Sequence, residues 1–194
     1  MVSISGNTPD ATTIAKGKVQ LAGDLAGTAA LPVIGPSKVT QDKVAAGFVV
    51  QAVYLASTTV DSTTTLIPAD GTIPQSTEGK EFINLSITPK ATTNRLFIEG
   101  KITLSSTAAN DLVVALFQDS GTNAIAGSIQ DMSTNEIVTI PFAYEMAAGT
   151  TSTTTFRIRG GGAIAGTTTF NGRSGTNTLG GILNSFIRIT EVKV

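Results

Sequence analysis

Arg95-Leu96-Phe97-Ile98-Glu99-Gly100-Lys101-Ile102-Thr103-Leu104 is the stretch that decides the fold class of this 194-residue chain. Leu96, Ile98, Ile102 and Leu104 fall on one side of a two-residue period, and Arg95, Glu99, Lys101 and Thr103 on the other. Successive strand side chains point to opposite faces, so the alternation predicts a strand with one buried and one wet face. Moving outward, residues 111–118 are apolar on both faces, which predicts a central strand covered on both sides. Residues 137–146 place Val138, Ile140, Phe142, Tyr144 and Met146 on one face and Pro141 on the other. A proline has no amide to donate, so this strand is expected at an edge or a bulge.

Further strands are predicted at 82–88, 123–130, 151–159, 167–170 and 185–194. Turn residues separate them: Pro89, Asp119-Ser120-Gly121-Thr122 and Ala147-Ala148-Gly149. Asn171-Gly172 predicts a hairpin, and Gly160-Gly161-Gly162 is read as a flexible loop that ends its strand. Toward the N-terminus, residues 48–55 read as the first strand of the globular part. Residues 61–80 read as a Thr-rich crossover with one short strand at Leu66-Ile67. Many short strands at this spacing predict an all-β sandwich or barrel over 48–194.

Residues 1–47 have a different character. Gly6, Pro9, Gly17, Gly23, Gly27, Pro32, Gly35 and Pro36 interrupt every periodic run, and the apolar residues are scattered. The segment reads as an extended arm with short strands, one of them at 18–22, and with chain turns at Gly23-Asp24 and Gly27. A helical turn is expected at 41–46. Such an arm cannot bury its apolar side chains against itself, so it is expected either as a disordered tail or, if ordered, resting on sister chains or a larger assembly.

Charged residues make up 14% of the chain and the net charge is −1, so no basic excess exists to neutralise phosphates. Aromatics at 5% leave few stacking platforms, and nucleic acid is not an expected partner. The chain has no His and no Cys. That removes the usual general base, the usual zinc ligands and every Ser-His or Cys-His nucleophile system. No cofactor is expected. Asp111, Asp119 and Asn123 lie near turns but lack calcium-loop spacing, and turn chemistry accounts for them. Glu78 and Glu81 are the only pair worth posing as acid and base, and charge at a loop-to-strand boundary accounts for those too. The protein is therefore read as no enzyme. Residues 1–10 have no basic region followed by an apolar one, and the apolar runs are too short to span a bilayer, so no secretory signal and no membrane insertion are expected.

Two sets of motifs carry a family resemblance. Thr12-Thr13-Ile14-Ala15-Lys16-Gly17-Lys18-Val19-Gln20-Leu21-Ala22-Gly23-Asp24-Leu25-Ala26-Gly27-Thr28-Ala29 resembles a segment of bacteriophage tail-fibre and related virion proteins. Ser86-Ile87-Thr88-Pro89-Lys90, Ala115-Leu116-Phe117-Gln118-Asp119, Gly166-Thr167-Thr168-Thr169-Phe170-Asn171-Gly172 and Ile187-Arg188-Ile189-Thr190-Glu191 resemble, in order, a C-terminal module of such proteins. The resemblance implies a jelly-roll β-sandwich over 48–194, usually homotrimeric and related in shape to tumour-necrosis-factor and complement head domains. It further implies a structural protein of a virion, placed on the tail fibre or the capsid exterior. A tail or side fibre contacting the host is the favoured role, with capsid decoration as the alternative and a glycan-cleaving spike behind both. In this setting Ile14, Lys16, Val19, Leu21 and Leu25 of the arm are the candidate attachment residues toward other virion proteins.

Arg157 and Arg159 share a strand face opposite Phe156 and Ile158. With Gly160, Gly161 and Gly162 as a loop and Arg173 in the next one, they form a candidate receptor surface. Planar guanidinium groups suit the phosphates and carboxylates of a bacterial surface glycan. The same positions also need solvating side chains on any outward strand face.

Overall fold

A computed structural model describes residues 25–28, 31–35, 39–40 and 43–194. The chain divides into two compact units, Met1–Ala45 and Ala46–Val194. In the first unit, β1 (Leu25–Thr28) and β2 (Leu31–Ile34) form an antiparallel hairpin with Leu25 opposite Ile34. Gly27 lies within β1 opposite Pro32 and is not a turn, contrary to expectation. The strand expected at 18–22 lies outside the described residues. Of the helical turn expected at 41–46, Lys43 N donates to Thr40 O at 3.0 Å.

The second unit contains β3 (Val49–Ser57), β4 (Asp61–Thr63), β5 (Lys80–Ile87), β6 (Arg95–Ser106), β7 (Asn110–Gln118), β8 (Ala126–Met132) and β9 (Ile137–Ala147). They are followed by β10 (Thr154–Gly162), β11 (Thr168–Phe170), β12 (Gly172–Arg173), β13 (Thr176–Asn177) and β14 (Ser185–Val192). One sheet runs β3-β14-β6, with β9 on the far side of β6; short β11 pairs with the end of β6 and carries β4. The other sheet runs β5-β10-β7-β8. All these pairings are antiparallel. Numbering the eight long strands in chain order, the sheets read 1-8-3-6 and 2-7-4-5. That order is two interlocked Greek keys, so the domain is a jelly-roll β-sandwich.

The alternation of β6 drives the packing. Leu96, Ile98, Ile102 and Leu104 are fully buried and meet Leu112, Val114 and Leu116 of β7, Phe156 and Ile158 of β10, and Ile187 and Ile189 of β14. Each such side chain contributes roughly 1.5–3 kcal/mol by leaving water. A bulge in β5 skips Phe82 in the pairing with β10, and Phe82 stacks on Phe170 with ring centroids 4.1 Å apart. Pro141 lies on β9, which pairs only with β6, so the edge position expected from its missing amide is observed.

β7 is buried on both faces, as its composition predicted, and what covers its outer side is the crossover. Ile67, fully buried, packs there with Val113, Ala115 and Phe117 as a second small core. Leu66-Ile67 is therefore not a strand; the short strand of this region is β4. Residues 64–79 form a strap across the four-stranded sheet, tied by Ile67 N to Gly162 O at 3.1 Å and Ala124 N to Pro74 O at 2.9 Å.

The glycine run is the largest departure from expectation. Gly160, Gly161 and Gly162 are buried, end β10, and pair with Val114, Val113 and Leu112. They are glycines because three neighbours approach closely. A Cβ on Gly160 would stand 2.8 Å from the Phe170 ring, one on Gly161 2.7 Å from Thr65 O, and one on Gly162 2.4 Å from the Asn110 side-chain nitrogen. The hairpin expected at Asn171-Gly172 is also displaced. Asn171 is buried and donates to Ser57 O and Thr59 O, and the turn falls between β12 and β13 at Ser174 (φ 51°) and Gly175 (φ 75°). Two successive positive φ values are the type I′ signature of a two-residue hairpin.

Candidate functional site

The two outer faces of the sandwich differ. On the β3-β14-β6-β9 sheet the outward residues form rows across the strands, set by register. One row is Ala56, Phe186, Lys101 and Pro141; the next is Tyr54, Arg188, Glu99 and Ala143; the third is Ala52, Thr190, Phe97 and Glu145. Tyr54 is 55% and Phe97 39% exposed. Tyr54 lies against Phe186 at 5.6 Å between ring centroids, with the Arg188 guanidinium 5.9 Å from the Tyr54 ring. Arg188 pairs with Glu99 at 3.3 Å and Arg95 with Glu145 at 2.7 Å, so the charges of this face other than Lys101 are matched within it. Exposed pairs of this kind contribute little to stability. The face carries Phe186 and Phe97 on its inner strands β14 and β6, Tyr54 on β3, and the small residues Ala52, Ala56, Ala143 and Pro141 on its outer strands β3 and β9.

On the four-stranded sheet the strap covers β7, and β10 presents Arg157 and Arg159 beside it. Both are half-buried and do not project freely into solvent as a basic patch would require. Arg157 Nη1 faces Glu81 Oε2 at 3.9 Å, while its Nε and Nη2 are buried with no protein partner among the described residues. Arg159 Nε donates to Glu78 O at 2.7 Å and Nη2 to Gly79 O at 2.8 Å. Arg159 borders an open cleft of about 560 Å³ together with Ser62, Thr63, Thr64, Thr65, Gly79, Lys80 and Thr167. Lys80 Nζ donates to Asp61 Oδ1 at 2.5 Å. Burial pushes the Asp61 carboxyl up, but the bonds from Lys80 and Ser62 N outweigh it and hold the group below its ordinary range.

The residues proposed from sequence as one receptor surface do not form one. Arg157 and Arg159 share the outer side of β10, but Gly160, Gly161 and Gly162 are interior strand positions. Arg173 is exposed on the β12–β13 hairpin, which packs beside β6 of the other sheet. In the arm, Leu25 opens β1, while Ile14, Lys16, Val19 and Leu21 lie outside the described residues. Of the carboxylates weighed for chemistry, Glu81 on β5 accepts from Asn84 Nδ2 at 2.9 Å and faces Arg157, while Asp119 and Glu78 serve loops. Asp119 accepts from Thr155 N at 2.8 Å and Thr154 Oγ1 at 3.0 Å; Glu78 accepts from Gln75 N at 2.9 Å. Among the described residues no three acidic side chains gather as a metal site would need.

Sequence reasoning missed Glu191, which is fully buried at the end of β14. Its Oε1 accepts from Asn94 Nδ2 at 2.6 Å, Lys90 N at 2.8 Å and Ala91 N at 3.4 Å, and its Oε2 from Gln51 Nε2 at 2.5 Å. Burial pushes this carboxyl up, and the four donors together bring it below the ordinary carboxylate range. A signal existed: Ile187 and Ile189 face inward, and Glu191 is the next residue in that phase.

Residues 9–67 match a family model described as a repeat of unknown function, DUF5907. That span runs from the arm through β3 and β4. No curated protein matches the chain. Among solved structures, the Eiger tumour necrosis factor of S. frugiperda is 12% identical with a TM-score of 0.39, covering 73% of this chain and 92% of that one. The sugar-binding EclA C-terminal domain is 16% identical with a TM-score of 0.33, covering 59% and 74%. The infectious bursal disease virus structure of the Gx strain is 8% identical with a TM-score of 0.35, covering 92% of this chain and 42% of that one. The jelly-roll assignment stands on the strand order and registers described above.

Proposed function

We propose that this chain is a non-enzymatic structural protein of a bacteriophage virion. In this reading it is a homotrimeric tail or side fibre component whose jelly roll meets the host surface, and its arm, residues 1–47, attaches it to other virion proteins. The observation that carries the reading is the open outer face of the β3-β14-β6-β9 sheet. Tyr54, Phe186 and Phe97 stand there among Ala52, Ala56, Ala143 and Pro141, with every ionic partner supplied inside the face except for Lys101. An exposed patch of this kind marks an interaction surface, and the matched pairs leave Lys101 as the cation that a second copy would have to satisfy or leave at the rim. The count of three and the virion setting draw on the motif resemblance. The commitment of Glu78 and Asp119 to turn bonds supports a role without catalysis.

Sedimentation of the isolated protein is expected to give a trimer, and a stable monomer would sink the assembly part of the proposal. Gold labelling of intact particles tests the location. Label along the tail supports the fibre role, whereas label over the head replaces it with capsid decoration.

A further inference from the structure

We infer that the cleft beside β4 is a binding site for the carboxylate of an acidic saccharide, with Arg159 as its anchor. This deepens the reading of the protein as one that touches a cell surface, and rests on it for the source of the ligand. The cleft, about 560 Å³, lies within the volume range of sites that hold small ligands and is shallow and broadly open to solvent.

The chemistry of Arg159 singles the cleft out. A guanidinium has five N–H donors in a planar fork. Two of them, on Nε and Nη2, are spent on the strap carbonyls Glu78 O and Gly79 O. Those two bonds fix one edge of the fork. Nη1 and the second Nη2 hydrogen have no protein partner among the described residues. An anion that binds this edge meets a donor pair already immobilised, so little side-chain entropy is lost on binding.

Charge bookkeeping favours a singly charged group at the anchor, one carboxylate of the ligand, rather than a doubly charged one. Lys80 is neutralised by Asp61, Arg157 faces Glu81, and Arg95 and Arg188 have Glu145 and Glu99. Arg159 has no carboxylate partner among the described residues, so the cleft carries one uncompensated positive charge. One carboxylate matches that charge; a phosphate dianion exceeds it. The remaining wall is hydroxyl. Thr64 and Thr167 line the cleft and their hydroxyls make no hydrogen bond to the described protein, which leaves them for the ring hydroxyls of a sugar. No aromatic ring lines the cleft, so discrimination falls on the anion and the hydroxyls.

The test is calorimetric titration of the intact protein with tri-galacturonate, neutral galactotriose and inorganic phosphate. Tri-galacturonate is expected to bind about tenfold or more tightly than either of the others, a difference that weakens with added salt. Arg159→Gln should lose about tenfold of that affinity. Because Arg159 also ties down the strap, the double change Thr64→Val with Thr167→Val serves as the second variant. It should weaken binding by about fivefold while leaving the thermal midpoint in place. Equal binding of galactotriose, phosphate binding as tight as the sugar acid, or no saturable binding of any of the three would each overturn the site. A protein labelled on the head that still binds tri-galacturonate would overturn the fibre role and leave this site standing.

Discussion

The sandwich has two outer faces made by the same β-strand alternation, and they have opposite fates. On the four-stranded sheet the outward residues of β7 are Val113, Ala115 and Phe117, and a strap ending at Gly79 buries them under Ile67. On the other sheet the outward residues are mixed with charge, and nothing in the described chain covers Tyr54 or Phe97. The covered face supplies stability within one chain. The open face supplies little to one chain and is suited to contact between chains. Changes that disturb the first should unfold the domain; changes that disturb the second should leave it folded and alter only what it binds.

The open sheet needs an internal fastening, and Glu191 provides it by holding the β5–β6 turn onto β14 and β3. Glu191→Ala should have the largest effect, about 3–5 kcal/mol by denaturant unfolding, because four donors lose a buried charged acceptor. The folded-state pKa of Glu191 is lowered. Its contribution is therefore complete above the ordinary Glu value of about 4.3 and is lost as pH falls through the lower folded value. Glu191→Gln should remove this part of the acid dependence, so the stability gap to the natural protein narrows on acidification. A gap that is constant with pH would show that the group does not titrate on unfolding.

Next in size is the strap. Ile67→Ala removes most of a fully buried side chain from the second small core and should cost about 3 kcal/mol. A loss below about 1 kcal/mol would mean that the strap rests on its backbone bonds and that the covered face is not a core at all.

How much of this was legible follows from which physical signals are local. Strand alternation is local, so β6, β9 and the double burial of β7 could be read from residues alone, as could the edge position of Pro141. Glycine is ambiguous, because a residue without Cβ serves a mobile loop and a crowded strand equally well. Gly160, Gly161 and Gly162 were read as a loop for that reason, and the crowding comes from Phe170, Thr65 and Asn110, which lie far away in sequence or across a turn. Arg157 and Arg159 were placed on the correct face, but their partners come from the strap and from β5, which alternation cannot reveal. Glu191 carried a readable phase signal that its charge obscured.

Gly161 and Gly127 turn that ambiguity into a smaller, paired measurement. Both face outward on the four-stranded sheet, one directly beneath the strap and one exposed on the edge strand β8, across a cavity from the strap. Gly161→Ala would set a Cβ 2.7 Å from a strap carbonyl and should cost about 1–3 kcal/mol. At Gly127 the nearest atom would be 3.5 Å away, and Gly127→Ala should change stability by about 0.5 kcal/mol or less. Equal costs at the two sites would remove the distinction between a covered and an open part of this sheet.

The smallest change in stability is expected on the open face, and there it carries the most information. Tyr54 and Phe97 lie on neighbouring outward rows, more exposed than the core permits, and their removal creates no cavity. Tyr54→Ser with Phe97→Ser should therefore shift unfolding by about 0.5 kcal/mol or less per position when measured on the monomer. If the protein is the proposed trimer, sedimentation should change completely, to monomer, because these aromatic side chains are what a neighbouring copy would bury. The pair Arg188–Glu99 serves as the control, since it lies on the same face and its partners are already matched. Replacing both by Ser should leave the trimer intact, as exposed ion pairs contribute little. If the aromatic variant still sediments as a trimer, the subunits associate elsewhere and the open face awaits a different partner.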